Sequence, residues 1–161
     1  ALERAGANMV LICTNTMHKV AGEVVGAVGV PLLHIVDMTA DELEHACITT
    51  VGLLGTRYTM EQDFYTGVLE HRGISVLTPV EKDRALVNRV IFDELCLGDI
   101  CDDSRAEFLR TIDGLAERGA QGVVLGCTEI GLLVRPEDTD APLFDTTLIH
   151  VRGAALRALE D

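Results

Sequence analysis

The sequence predicts an α/β protein of parallel sheets flanked by helices, with a repeated unit that points to two pseudo-symmetric lobes. Three observations predict it. Short continuous apolar runs alternate with longer amphipathic stretches, the rhythm of strands joined by helical crossovers. Apolar residues make up 48% of the 161, with few aromatics and no Trp, so the core must be built from Val, Leu, Ile and Ala. One strand-and-turn unit also occurs twice. Residues 6–16 and 119–129 both read as Gly-Ala, a buried strand, then a polar turn; aligned without a gap, Thr14 falls opposite Cys127 and Asn15 opposite Thr128. Two unrelated βα units of one protein could give the same pattern, so the repeat alone leaves symmetry open.

The elements follow in order. Met9–Ile12 is a continuous apolar run bounded by polar residues, hence a buried strand. A helix follows over Thr16–Val28, capped by Thr14 or Asn15. Pro31–Val36 is a second strand, and Thr39 with Glu42 three residues later forms a capping box that opens another helix. Val51–Leu54 is a strand, Met60–His71 a helix stopped by Gly73, and Ile74–Leu77 a strand. Pro79 leads into a helix that reaches Leu97 and closes at Gly98. Ser104–Arg118 is a helix ended by Gly119, and Val123–Leu125 is a strand running into Cys127. Leu143 and Phe144 make a last strand before a terminal helix from Thr146 or Thr147. No Ser/Gly linker divides the chain. The lobes are therefore assigned as 1–36 with 142–161, and 37–141, with crossings near Asp37 and Pro142. Ala1–Ala5 reads as the end of a helix, which predicts a preceding segment.

Composition excludes several classes. The formal net charge of −13 argues against nucleic acid and against an anionic membrane surface. No run approaches the roughly 18 apolar residues of a spanning helix, and no signal peptide is visible. Five cysteines, an odd number at irregular spacing, form no disulfide framework and fit free thiols in a reducing cytosol. No metal site is expected: Cys96 and Cys101 lack zinc spacing, and no HxxxH or HExxH occurs. A pyridoxal enzyme needs a Schiff-base lysine, and neither Lys19 nor Lys82 sits in such a setting. No phosphate-binding glycine loop follows a strand.

Both echoed turns lie at the carboxyl ends of predicted strands and before helices, where ligands and anions gather. A cysteine there suits α-proton chemistry, because a helix N-terminus can lower a thiol's pKa. Cys13-Thr14-Asn15-Thr16-Met17-His18, Gly126-Cys127-Thr128-Glu129 and the threonine-rich turn Leu53-Leu54-Gly55-Thr56-Arg57-Tyr58-Thr59 together resemble the motifs of the aspartate/glutamate racemase family, over nearly the whole chain.

The resemblance implies a two-lobed amino-acid racemase that works without pyridoxal phosphate or another cofactor, on a small-molecule amino acid in a cleft between the lobes. It implies that Cys127 is the second catalytic Cys and that Thr14 occupies the place of the first, as in the branch with a Thr/Cys pair. Asn15, Thr16, Thr56, Thr59 and Thr128 match positions that bind the substrate's carboxylate or amino group; Asn15 and Thr56 also suit capping and turn formation. His18, in a helix's first turn, reads as structural. Cys96 stands where many relatives carry a lysine that meets an acidic side chain, which leaves room for a neutral substrate such as homoserine beside aspartate and glutamate. Family members start about a third of a protein earlier, which implies that the first of the two lobes is incomplete here, and they are often homodimers, although no surface stripe here marks an interface. The alternatives are a hydantoin racemase or maleate isomerase relative, or an inactive truncated binding remnant.

Overall fold

The computed structural model describes residues 1–160; Asp161, the last residue of the expected first lobe, lies outside the described residues. The architecture is α/β, with parallel strands in two sheets. β1 (Val10–Leu11) pairs with β2 (Leu32–Leu33), Val10 opposite Leu32. The larger sheet contains β3 (Thr50–Gly55), β4 (Ser75–Leu77), β5 (Val123–Gly126) and β6 (Leu143–Asp145), in the order β4-β3-β5-β6. Pro142 precedes β6, which pairs with β5, so the chain leaves this sheet at Asp145 rather than at Pro142.

The helices are α1 (Ala21–Ala27), α2 (Ile35–His45), α3 (Arg57–Glu61), α4 (Asp63–His71), α5 (Glu81–Asp93), α6 (Asp102–Glu117), α7 (Ile130–Leu133) and α8 (Thr146–Leu159). Val51 to Gly55 of β3 are all buried, which requires cover on both faces of the sheet. α2 packs on α4 and α8, and α5 packs on α6, giving the two helical layers. The core joins Leu53, Leu54 and Val124 of the strands to Leu43, Leu69 and Phe108 of the helices, each fully buried. Burial of each such side chain stabilises the fold by about 1.5–3 kcal/mol.

Several boundaries differ from the sequence reading. The second strand does not continue to Val36. The chain turns into α2 at Ile35, where His34 Nδ1 accepts from Val36 N (3.3 Å) and His18 Nε2 accepts from Ile35 N (3.1 Å). A short apolar run fits the first turn of a buried helix as well as a strand. Thr39 is consequently no cap: it lies buried inside α2, its Oγ1 donating to Ile35 O at 2.8 Å.

The helix expected over Thr16–Val28 begins as a 3-10 segment, Thr16–Val20, and Asn15 makes no side-chain cap to it. The helix expected over Met60–His71 is two helices, α3 and α4, broken where Gln62 turns extended (φ −110°, ψ 144°). α5 ends at Asp93, and Leu95–Leu97 is a separate 3-10 turn. α8 is capped by Asp145, whose Oδ1 accepts from Thr147 N and Leu148 N. Gly73, Gly98 and Gly119 adopt left-handed φ after their helices, as the sequence led us to expect.

Candidate active site

From β3 the chain runs outward to β4, then returns to the other side of β3 as β5 and continues to β6. The strand order therefore reverses between β3 and β5. In an open parallel sheet a crevice forms beyond the carboxyl ends of the strands at such a reversal. Thr56 follows β3 directly and Cys127 follows β5 directly.

Gly55 and Gly126 are cross-strand partners at these ends. A Cβ on Gly126 would stand 3.0 Å from Leu54 O and 3.1 Å from Thr59 Cγ2; one on Gly55 would stand 3.0 Å from Gly126 O and 3.1 Å from Thr59 Cβ. The two glycines thus let α3 lay Thr59 directly on the strand ends. Thr56 caps α3, its Oγ1 accepting from Thr59 N at 3.4 Å. The same oxygen lies 3.3 Å from Thr59 Oγ1 and 3.3 Å from Thr16 Oγ1. A chain of three hydroxyls therefore links the turn after β1 to the turn after β3.

Asn15 is 3% exposed. Its Nδ2 donates to Thr146 Oγ1 (3.0 Å), which donates to Leu125 O (2.9 Å), tying the β1 turn to the end of β5. Asn15 Oδ1 is buried and has no hydrogen-bond partner. A buried acceptor left unpaired costs about 1–3 kcal/mol. Thr14, half-buried, is held through its backbone: His18 Nδ1 lies 2.8 Å from Thr14 O. Because His18 Nε2 accepts from Ile35 N, the proton must sit on Nδ1, which donates to Thr14 O. His18 is thus a neutral clamp between the Thr14 turn and α2. Burial, opposed in part by the Thr14 bond, lowers its pKa to about 4. The rings of His34 and His150 stand edge-on to it, at 4.5 and 6.0 Å.

Cys127 is half-buried, and its Sγ donates to Glu129 Oε2 at 2.9 Å. Thr128 Oγ1 donates to the same oxygen at 2.7 Å. Burial, and then the hydrogen bond to the carboxylate, push the Cys127 thiol up to about 12. Burial pushes the Glu129 carboxyl up, but the bonds from Cys127 and Thr128 outweigh it and hold it below the usual range. At neutral pH the pair therefore rests as thiol and carboxylate.

The fold brings Thr16, Thr56 and Thr59 together, joins Asn15 to the end of β5, and pairs Cys127 with Thr128 through Glu129. Among the described residues no hydrogen bond links Thr14 to Cys127. Two contributors were missed in the sequence. Thr146 was read only as a helix start, and Glu129 only as part of a motif. The gap-free repeat places Glu129 opposite Thr16, the one signal that could have singled it out.

The model of the Asp/Glu/hydantoin racemase family matches residues 1–154. The chain belongs to this family. A Yersinia pestis protein described as a candidate Asp/Glu racemase has a crystal structure 53% identical to it (TM-score 0.93), covering 98% of this chain and 69% of that one. An aspartate racemase homologue from Pyrococcus horikoshii is 36% identical (TM-score 0.89), covering 98% and 70%. The broad specificity amino-acid racemase RacX of Bacillus subtilis is 25% identical over 91% of this chain and 63% of its own length. Two of the three motifs read from the sequence, at Thr56 and at Cys127, lie in the turns after β3 and β5, and the third, at Thr14, follows β1 of the other sheet. No helix is long and apolar enough to cross a membrane among the described residues.

Proposed function

We propose that this racemase-family chain interconverts L- and D-amino acids without a cofactor, with Cys127 exchanging the α-proton on one face of the substrate and Thr14, or a water it holds, serving the other. The observation that carries the proposal is the Cys127 Sγ–H···Glu129 bond at the sheet reversal, beside the Thr16–Thr56–Thr59 hydroxyls. In this reading the sheets β1-β2 and β4-β3-β5-β6 belong to two lobes that close on the substrate.

The hydroxyls of Thr16, Thr56, Thr59 and Thr128 suit the substrate's carboxylate, where donors stabilise the enolate-like transition state. The orphaned Asn15 Oδ1 is an acceptor awaiting a donor, and the substrate's ammonium provides one. A neutral Cys127 is loaded to return a proton. To remove one it must first become a thiolate, which from a pKa of about 12 costs about 7 kcal/mol at pH 7. An ammonium brought beside it reduces that cost, since an opposite charge within a few ångströms favours the ionised form.

The charge acting on Cys127 is the Glu129 carboxylate, which also raises Cys96 after burial. This favours an amino acid with a neutral side chain, such as homoserine, over aspartate and glutamate. The broad specificity of RacX fits the same reading.

Chiral chromatography of incubations with L- and D-homoserine, aspartate and glutamate tests it. The expected result is enantiomer formation that disappears in Cys127→Ser while the circular dichroism spectrum is unchanged. A threonine hydroxyl is a far weaker base than a thiolate, so initial rates from L and D at matched saturation should differ by at least about tenfold. Undiminished activity in Cys127→Ser would overturn the mechanism. Equal rates would remove Thr14 from it.

A further inference from the structure

We propose that His18 is a positioning residue for one half of the reaction: it fixes the turn that carries Thr14, and so serves the substrate face opposite Cys127. The inference rests on the reading above, in which Thr14 and Cys127 act on opposite faces. His18 is 3% exposed, and both of its ring nitrogens are engaged. Nδ1 donates to Thr14 O at 2.8 Å, and Nε2 accepts from Ile35 N at 3.1 Å. Ile35 opens α2, so its amide has no partner within the helix. One ring therefore ties the Thr14 turn to the start of a helix that is itself packed on α4 and α8.

The ring is braced by its neighbours. The rings of His34 and His150 stand edge-on to it. His150 Nε2 lies 2.8 Å from Leu33 O, and a carbonyl only accepts, so that nitrogen carries the His150 proton. His150 thus anchors to β2, the strand just before α2. A protonated His18 would set a second N–H against the Ile35 N–H and undo the clamp. Burial, opposed in part by the bond to Thr14, lowers its pKa to about 4, so the clamp persists at neutral pH.

The Cys127 turn is built differently. The gap-free repeat sets His18 opposite Gly131, which has no side chain to act as a clamp. Cys127 O instead accepts from Ile130 N, within the backbone of its own turn, at 3.2 Å. Loss of the His18 ring therefore loosens the Thr14 turn and leaves the Cys127 turn in place. A reacting group misplaced by about 1 Å costs up to about a hundredfold in rate.

Two substitutions separate the two bonds. An Asn amide reaches as far as Nδ1 and a Gln amide as far as Nε2. His18→Asn keeps a donor for Thr14 O, and His18→Gln keeps an acceptor for Ile35 N. Exchange of the α-proton is followed from L- and from D-homoserine, at saturation, in deuterated water. The faster enantiomer reports the Cys127 face and the slower one the Thr14 face. His18→Gln should slow the slower enantiomer by at least about tenfold and leave the faster within about twofold; His18→Asn should keep both within about threefold. Equal slowing of both enantiomers by His18→Gln, no slowing of either, or a selective loss in His18→Asn instead would each overturn the proposal. A second readout needs no turnover. The Asn15 amide shares a peptide unit with Thr14 O, and its nitrogen signal should move in His18→Gln and stay near its native place in His18→Asn. In the unsubstituted protein, ring-nitrogen NMR should find the His18 proton on Nδ1. An unmoved Asn15 signal in His18→Gln, or a proton on Nε2, would overturn the clamp. Absence of exchange in the unsubstituted protein would overturn the parent reading, and with it the catalytic meaning of the clamp, while these signals still tell whether the clamp exists.

Discussion

The Cys127 thiol donates to the Glu129 carboxylate across 2.9 Å, and the chemistry proposed for the site turns on that bond. Replacing Glu129 by Gln keeps an acceptor but removes the negative charge that opposes the thiolate. The thiol should then move down by about one pKa unit, and alkylation of Cys127 at pH 8, followed peptide by peptide in a mass spectrometer, should accelerate about tenfold. A change of less than twofold would show that burial alone sets the thiol. Gly126 is the other sensitive position. In Gly126→Ala the new methyl meets Leu54 O and Thr59 Cγ2 at 3.0 and 3.1 Å, and urea denaturation should register a loss of about 1–3 kcal/mol. At this scale the sequence was legible where residue type is tied to local spacing: Gly-Cys-Thr-Glu and Thr-x-x-Thr announce themselves. The Asn15–Thr146–Leu125 relay was not legible, because it depends on how turns distant in sequence face one another; the Cys127–Glu129 bond is local, but spacing alone does not say that the carboxylate folds back onto the thiol.

The strands were found close to their observed places, since each carries its own apolar run, whereas the junction of β2 and α2 was misplaced. Ile35 and Val36 are buried in either structure, and what starts the helix is a pair of imidazoles, His34 from the neighbouring position and His18 from another element. The burial of His18 and His34 gives that junction a pH dependence. Burial lowers His18 to about 4 from 6.5 and lowers His34 as well. Between those limits the unfolded chain takes up the proton and the folded chain does not. The stabilisation is therefore complete above pH 6.5 and is lost as the pH falls toward 4, by up to about 3 kcal/mol for His18. Denaturation midpoints measured across that window should fall steadily, and less steeply in His18→Phe; an identical slope in the variant would contradict this. At the end of α2, Cys47 takes a left-handed φ of 57°. Such a conformation favours glycine, so Cys47→Gly should raise stability by about 1 kcal/mol in the same assay.

For the molecule as a whole, alternating elements fixed parallel sheets in advance, because strand–helix–strand crossovers allow little else. The order β4-β3-β5-β6 was not predictable from periodicity, which says that a strand exists and not which neighbour it takes. That order makes the site, since it sets the reversal between the two strands that end in Thr56 and Cys127. The net charge of −13 fits a partner recognised by local donors rather than by a basic field, as a small amino acid would be. The proposed transfer of the substrate's α-proton by the Cys127 thiol can be followed directly. The protein and its Cys127→Ser variant are incubated with L-homoserine in deuterated water, and the α-proton signal is followed by NMR. Progressive loss of that signal is expected with the native thiol, and a constant signal with serine in its place. Loss at the same rate in both would contradict it.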